Sequence, residues 1–343
     1  MKASRRAFVA GVGACALARG IGAQFVGGTS NVTRLDLAAI DRTRILAGAA
    51  TALARMPAPS ADAESDAFLQ MTLDLPALAA AAQIDPDGAG KYEAKASEVL
   101  TSWFVRKPLR LEISGFEDLL ALSALAEVAV CLPFLGLEAE VLGAVKDWFR
   151  KYLGYLSTDM TGLLARDAKD RHGSSWLLQV SAFARLCGDD AAAEEARKRF
   201  RHATLRAEIN ADGFFPGELK TANPFRNSLM NLDLLAGACV LLSTRFESLW
   251  DAELQDGPGM RAAVARHVPY MQRRERWPYP ADQAHFKELP GRRPVLALAA
   301  KAYAQPEYAA LFLTLPELTE ADLVRSLPIR QPLLWLVAPR RRQ

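Results

Sequence analysis

The stretch Asp167–Trp176 reads Asp-Ala-Lys-Asp-Arg-His-Gly-Ser-Ser-Trp. It sets His172 beside Arg171 and just before a helix expected over Ser174–Cys187, with Gly173 and Ser174 at its start. The free N–H groups and positive dipole of a helix N-terminus suit an anionic ligand. An arginine at that place would hold a carboxylate bidentately. A second stretch, Ile209–Leu219, is polar, Gly/Pro-rich and aromatic, and runs through Lys220, Asn223 and Arg226 into an apolar helix. A third is Arg276-Trp277-Pro278-Tyr279-Pro280, where prolines fix the backbone and display two aromatic faces. Such faces stack well on sugar rings. Asp170 and Glu218 would serve as the paired carboxylates of a glycoside hydrolase if they faced one cleft.

Each of these residues also has a plain structural reading. His172 would cap its helix, and Arg171 would pair with Asp170 or Asp167 at the surface. Glu218 would hydrogen-bond behind the site, and Trp277 and Tyr279 would pack between helices. His202, in the charged run Glu194–Arg206, reads as solvated, and His267 as structural. No CxxC pair and no Cys/His spacing for zinc occurs, so neither metal nor cofactor is expected. Cys131, Cys187 and Cys239 sit in apolar helical contexts and read as buried thiols, with one disulfide open in an oxidising compartment.

The elements that must position these residues are helices. Apolar residues recur at helical spacing over Asp36–Met56, Lys91–Val105 and Ala139–Leu156. Asp66–Ile84 is expected to break at Pro76, and Phe116–Cys131 is apolar on most faces, as an inner helix would be. Further helices are expected over Asp189–Glu208, Pro224–Phe246, Gly259–Gln272, Pro294–Ala304 and Pro306–Thr314. Strand-like alternation is almost absent. Leu-Thr-Ser-Trp-Phe at residues 100–104 echoes Val-Lys-Asp-Trp-Phe at 145–149, which fits stacked helical hairpins, as a toroid or a solenoid. Short turns and the lack of a long linker argue for one all-α domain over residues 24–343.

The first 23 residues read as an export signal. A basic start containing Ser4-Arg5-Arg6-Ala7-Phe8-Val9 precedes an apolar run too short to span a bilayer, and is similar to a twin-arginine signal. A periplasmic or secreted protein is therefore expected. Val12-Gly13-Ala14-Cys15 is a weak lipobox and leaves a lipid anchor on Cys15 open. Loss of residues 1–23 removes Lys2, Arg5, Arg6 and Arg19 and takes the net charge from +3 to −1. A nucleic-acid-coating role needs a basic surface and is not expected. No later segment reads as an uninterrupted membrane span. Arg340–Arg342 reads as a basic tail, and a monomer is expected. Half the 343 residues are hydrophobic and 24% are charged, which excludes a disordered chain and a disulfide miniprotein.

His172-Gly173-Ser174-Ser175-Trp176, then Gln179 and Ala182, resembles the Asn-Asn-His-Gly-x-x-x-x-x-Gln-x-x-Ala block of the alginate lyase superfamily. Asp212-Gly213-Phe214-Phe215-Pro216-Gly217-Glu218-Leu219 resembles its Asp-Gly-x-x-Pro-x-Glu-Leu block, and Ser228–Leu232 the helix that follows. Trp277-Pro278-Tyr279-Pro280 resembles a C-terminal block, and Trp103-Phe104 and Asp147-Trp148-Phe149 echo upstream helices. The blocks stand in order over roughly residues 95–310.

The resemblance implies an incomplete (α/α) toroid with a central cleft and β-elimination of a uronate-containing polysaccharide such as alginate. A group must neutralise the uronate carboxylate, a base must take the C5 proton and an acid must protonate O4. It implies His172 as base. The preceding family asparagine is Arg171 here, the family tyrosine falls on Asn227, and its arginines fall on Thr221 and Asn223. The family's Asn-Pro-x-x-x-Tyr-type segment is missing after Trp103-Phe104, where Arg106-Lys107-Pro108-Leu109-Arg110 leads into the next helix. Arg171 and Asn227 are thus expected to hold the carboxylate, and Glu218, Lys220, Arg226, Trp277 and Tyr279 to contact substrate. The acid would be water or a tyrosine, with Tyr270, Tyr279, Arg226 and His285 as substitutes for the missing group. A non-catalytic carbohydrate-binding or structural member of the fold is the alternative reading.

Overall fold

Five helices of this chain are buried on nearly every face, whereas their sequence neighbours bury one stripe. That division sets the architecture. In the computed structural model the described residues are 35–340, apart from 107, 110–112, 114, 256 and 258. The export signal of residues 1–23, Cys15, and Arg341 and Arg342 of the basic tail lie outside the described residues. Residues 33–343 group into one unit.

The inner helices are Asp66–Ile84, Leu125–Cys131, Arg171–Cys187, Pro224–Leu242 and Pro294–Ala302. Each packs on the next in that order, and the five-residue helix Pro332–Leu336 bridges the last to the first. That short helix leaves the ring without a full sixth hairpin. Outside them lie the one-faced helices Arg42–Ala54, Ala89–Leu100, Ala139–Thr158, Asp190–Arg199, Met260–Gln272 and Pro306–Thr314. On Ala139–Thr158 the buried stripe is Val145, Trp148, Phe149, Tyr152, Leu153 and Leu156. The result is an all-α toroid of helical hairpins, and no strand occurs among the described residues.

Several local expectations change. Pro76 does not break its helix, which runs unbroken from Asp66 to Ile84. A lost backbone hydrogen bond is tolerated where every neighbouring face is packed. Phe116–Cys131 is two α-helical pieces, Phe116–Ala121 and Leu125–Cys131, joined by a tighter turn. Thr101–Arg106 and Phe200–Thr204 are π-helical turns. Two inner helices, Asp66–Ile84 and Pro224–Leu242, are long and apolar enough to cross a membrane by length and composition alone. Their apolar windows are 78% and 89% buried within the protein, because a helix enclosed on all sides needs no polar face. Cys131, Cys187 and Cys239 are free thiols.

Candidate functional site

The histidine helix begins three residues earlier than its sequence periodicity suggests. Asp170 is its N-cap, so Arg171 and His172 occupy the first turn. Asp170 Oδ1 accepts both the backbone N–H of His172, at 3.0 Å, and its Nδ1–H, at 2.8 Å. The N-terminus is therefore already capped by the chain's own carboxylate. Gly173 and Gly217 make room for this loop. A Cβ on Gly173 would lie 2.5 Å from the Ala168 carbonyl oxygen, and one on Gly217 would lie 2.7 Å from that of Lys169.

Three inner helices and the short closing helix, or the turns leading into them, contribute walls to one cleft of about 610 Å³. Phe68, Leu69 and Thr72 come from the start of one inner helix, Arg171 from another, and Arg226, Asn227 and Met230 from a third. Arg325 and Arg330 precede the short closing helix. All present their N-terminal ends, which adds positive potential to four lining arginines set against Glu64, Glu117 and Asp322.

Arg171 is anchored from below. Its backbone N–H donates to Glu218 Oε1 at 2.5 Å and its Nη1 to Glu218 Oε2 at 3.1 Å. Glu218 is fully buried, and burial pushes its carboxyl up against the attraction of Arg171. Arg171 Nη2 reaches the rim, 3.4 Å from Glu117 Oε1. The same oxygen lies 3.5 Å from His172 Nε2. His172 is only 8% exposed and stands behind Glu117, its ring tilted against Phe116 at 5.3 Å. Burial opposes its charge, but Asp170 and Glu117 outweigh burial and Arg171 and push its pKa up to about 9. The imidazolium in turn holds Glu117 below the usual carboxylate range.

Asn227 donates from Nδ2 to Thr221 Oγ1 at 3.0 Å, and Thr221 donates to the Glu218 carbonyl at 2.7 Å. Asp282 accepts the backbone N–H groups of Phe225 and Arg226, both at 2.8 Å, and so caps this helix from 56 residues away. The Arg226 side chain makes no ion pair among the described residues. Below His172 lies buried Glu208, which accepts from Ser174 Oγ at 2.5 Å and from Asn231 Nδ2 at 3.0 Å. Burial pushes its carboxyl up to about 8.

The structure thus brings Arg171, Asn227 and Arg226 to one cleft, with His172 and Glu218 directly behind. It separates the rest. Lys220 is exposed and does not line the cleft. Trp277 is 7% exposed and packs among Phe214, Phe225, His267 and Tyr270, so it is a core ring rather than a sugar platform. Tyr279 packs edge-on against Phe214 and Trp277. Tyr270 belongs to the same cluster, and no tyrosine lines the cleft among the described residues. His285 stands 3.8 Å from Asp322 at the cleft edge. His202 is exposed, and His267 is a buried core histidine. Asp170 and Glu218 both turn to internal partners, as N-cap and arginine anchor. Among the described residues no cluster of His, Cys, Asp or Glu is arranged to hold a metal. Glu117, Arg325 and Arg330 escaped the sequence reading, because each reaches the site by a contact across 50 or more residues of chain.

The helical-hairpin toroid with this cleft is the fold class, and family membership is what supports a polysaccharide lyase. The chain belongs to the alginate lyase family, whose model matches residues 50–277. In fold the chain is similar to an alginate lyase from Bacteroides ovatus, with a TM-score of 0.69 at 19% identity, covering 85% of this chain and 93% of that one. It is also similar to alginate lyase A1-III from Sphingomonas species A1, with a TM-score of 0.59 at 10% identity, covering 80% and 77%. Among curated proteins none matches.

Proposed function

We propose that the cleft cleaves a uronate-containing polysaccharide, alginate or a similar polymer, by β-elimination. The observation that carries this reading is the pairing of Arg171 with His172 in the first turn of an inner helix, Arg171 on the wall of an arginine-lined cleft and His172 directly behind it, in an alginate lyase family member. Asp170 holds Nδ1–H, which leaves Nε2 as the atom that takes the C5 proton once the imidazole is neutral. Arg171, with Arg226 and Asn227 on the facing wall, neutralises the uronate carboxylate and so acidifies that proton. The proton for O4 comes from the imidazolium just formed or from water. Residues 1–23 support export to the periplasm or beyond. The open cleft supports an extended polymer as partner.

The test is ultraviolet absorbance of the new C4=C5 bond on alginate blocks, glucuronan and other uronans. Product from the wild type, reduced about 10²-fold or more in His172→Ala, is expected. Full activity in His172→Ala would sink the assignment of the base. A flat trace on every uronan would favour the non-catalytic carbohydrate-binding reading, for which the missing tyrosine speaks.

A further inference from the structure

We propose that Glu117 is a built-in stand-in for the substrate carboxylate, and that exchange of one carboxylate for the other decides which polymers the cleft accepts. The inference rests on the lyase reading of this site. Glu117 Oε1 lies 3.4 Å from Arg171 Nη2 and 3.5 Å from His172 Nε2, between the two groups a bound uronate has to meet. Both contacts are longer than good charge-assisted hydrogen bonds, which run near 2.8 Å. The Glu117 side chain is 67% exposed, so it swings back into water at little cost.

Its departure, however, uncovers two donors. His172 Nε2 is buried with no aligned hydrogen-bond partner, and Arg171 Nη2 has Glu117 as its acceptor. An entering carboxylate replaces the lost acceptor and leaves the charge of the cluster unchanged. A neutral sugar does not. The other charged groups facing His172 are fixed. Asp170 and Arg171 are on its own helix, Glu218 is on the turn beneath Arg171, and Glu208 is buried below. Glu117 is the most exposed of this set.

The experiment uses the full chain as wild type, Glu117→Gln and Glu117→Asp. Calorimetry measures binding of glucuronate and of neutral methyl glucoside, and NMR titrates His172. In Glu117→Gln, glucuronate should bind about tenfold tighter with the glucoside unchanged. The His172 titration should fall by about one unit or more, and Glu117→Asp should restore both. Unchanged glucuronate binding and an unchanged His172 titration in Glu117→Gln would overturn the proposal. Failure of the lyase reading looks different: binding and titration shift as stated, yet no variant forms unsaturated product. Product from the wild type, with Glu117→Gln the same in KM and in pH profile, refutes the role of Glu117 alone.

Discussion

Arg171 binds both oxygens of Glu218, one through its backbone N–H and the other through its guanidinium. One carboxylate thus fixes the backbone and the side chain of the same residue, in the turn that also carries His172. The family asparagine is replaced here by a residue that needs a buried counter-charge, and Glu218 supplies it.

Arg171→Asn, which restores the family residue, should therefore not be neutral. It strands Glu218 in the interior, and breaking a buried pair from one side costs about 3 kcal/mol or more. Arg171→Asn with Glu218→Gln should recover most of that loss. Urea denaturation of the two variants and the wild type checks it. Equal stability of Arg171→Asn and wild type would show that the pair contributes nothing.

His172 should make activity rise with pH. Its proton is held up to about 9, so the neutral base gains population from neutrality toward that value. Stability moves the other way. A folded pKa above the ordinary 6.5 contributes stability that is complete below 6.5 and lost as pH rises through about 9. A pH–rate profile and thermal melts over the same range test both arms. A rate that is flat across the window contradicts His172 as the base.

Glu208 gives a second pH signature with its own sign. Its folded pKa of about 8 lies above the ordinary 4.5, so the unfolded chain ionises first and stability falls as pH climbs between those values. Glu208→Gln keeps an acceptor for Ser174 and Asn231 and removes the ionisation. The variant should gain on the wild type in melting temperature from pH 4.5 to 8. A constant difference across that range would count against a protonated Glu208.

Trp277 should matter for stability and not for substrate. Trp277→Ala removes a large ring from a core aromatic cluster and should cost about 3–5 kcal/mol. In whatever fraction stays folded, KM should match the wild type. A raised KM with unchanged stability would return Trp277 to the substrate surface.

Much of this was legible along the chain. The one-sided stripe of Ala139–Thr158 and the all-round apolarity of Pro224–Leu242 mark outer and inner helices, because a helix exposes a polar face only where water reaches it. The order of the blocks around His172, Glu218 and Trp277 points to the family, since each block packs against the others in one fold. Local spacing says nothing of whether a loop aromatic faces water. Prolines flank both Trp277 and Tyr279, and only the packing of Trp277 among Phe214 and Phe225 decides that its ring is buried.

The sequence by itself determined the helical periods, the hairpin class, the family and the placing of Arg171 and His172 at the start of a helix. Those follow from contacts within a few residues, or from motifs that survive as local patterns. Only the tertiary structure decided that Glu117 lies against both, that Glu218 anchors Arg171 and that Arg325 and Arg330 complete the cleft. Those relations join segments 47 to 259 residues apart, and they exist because the inner helices close into a ring with their N-termini on one side.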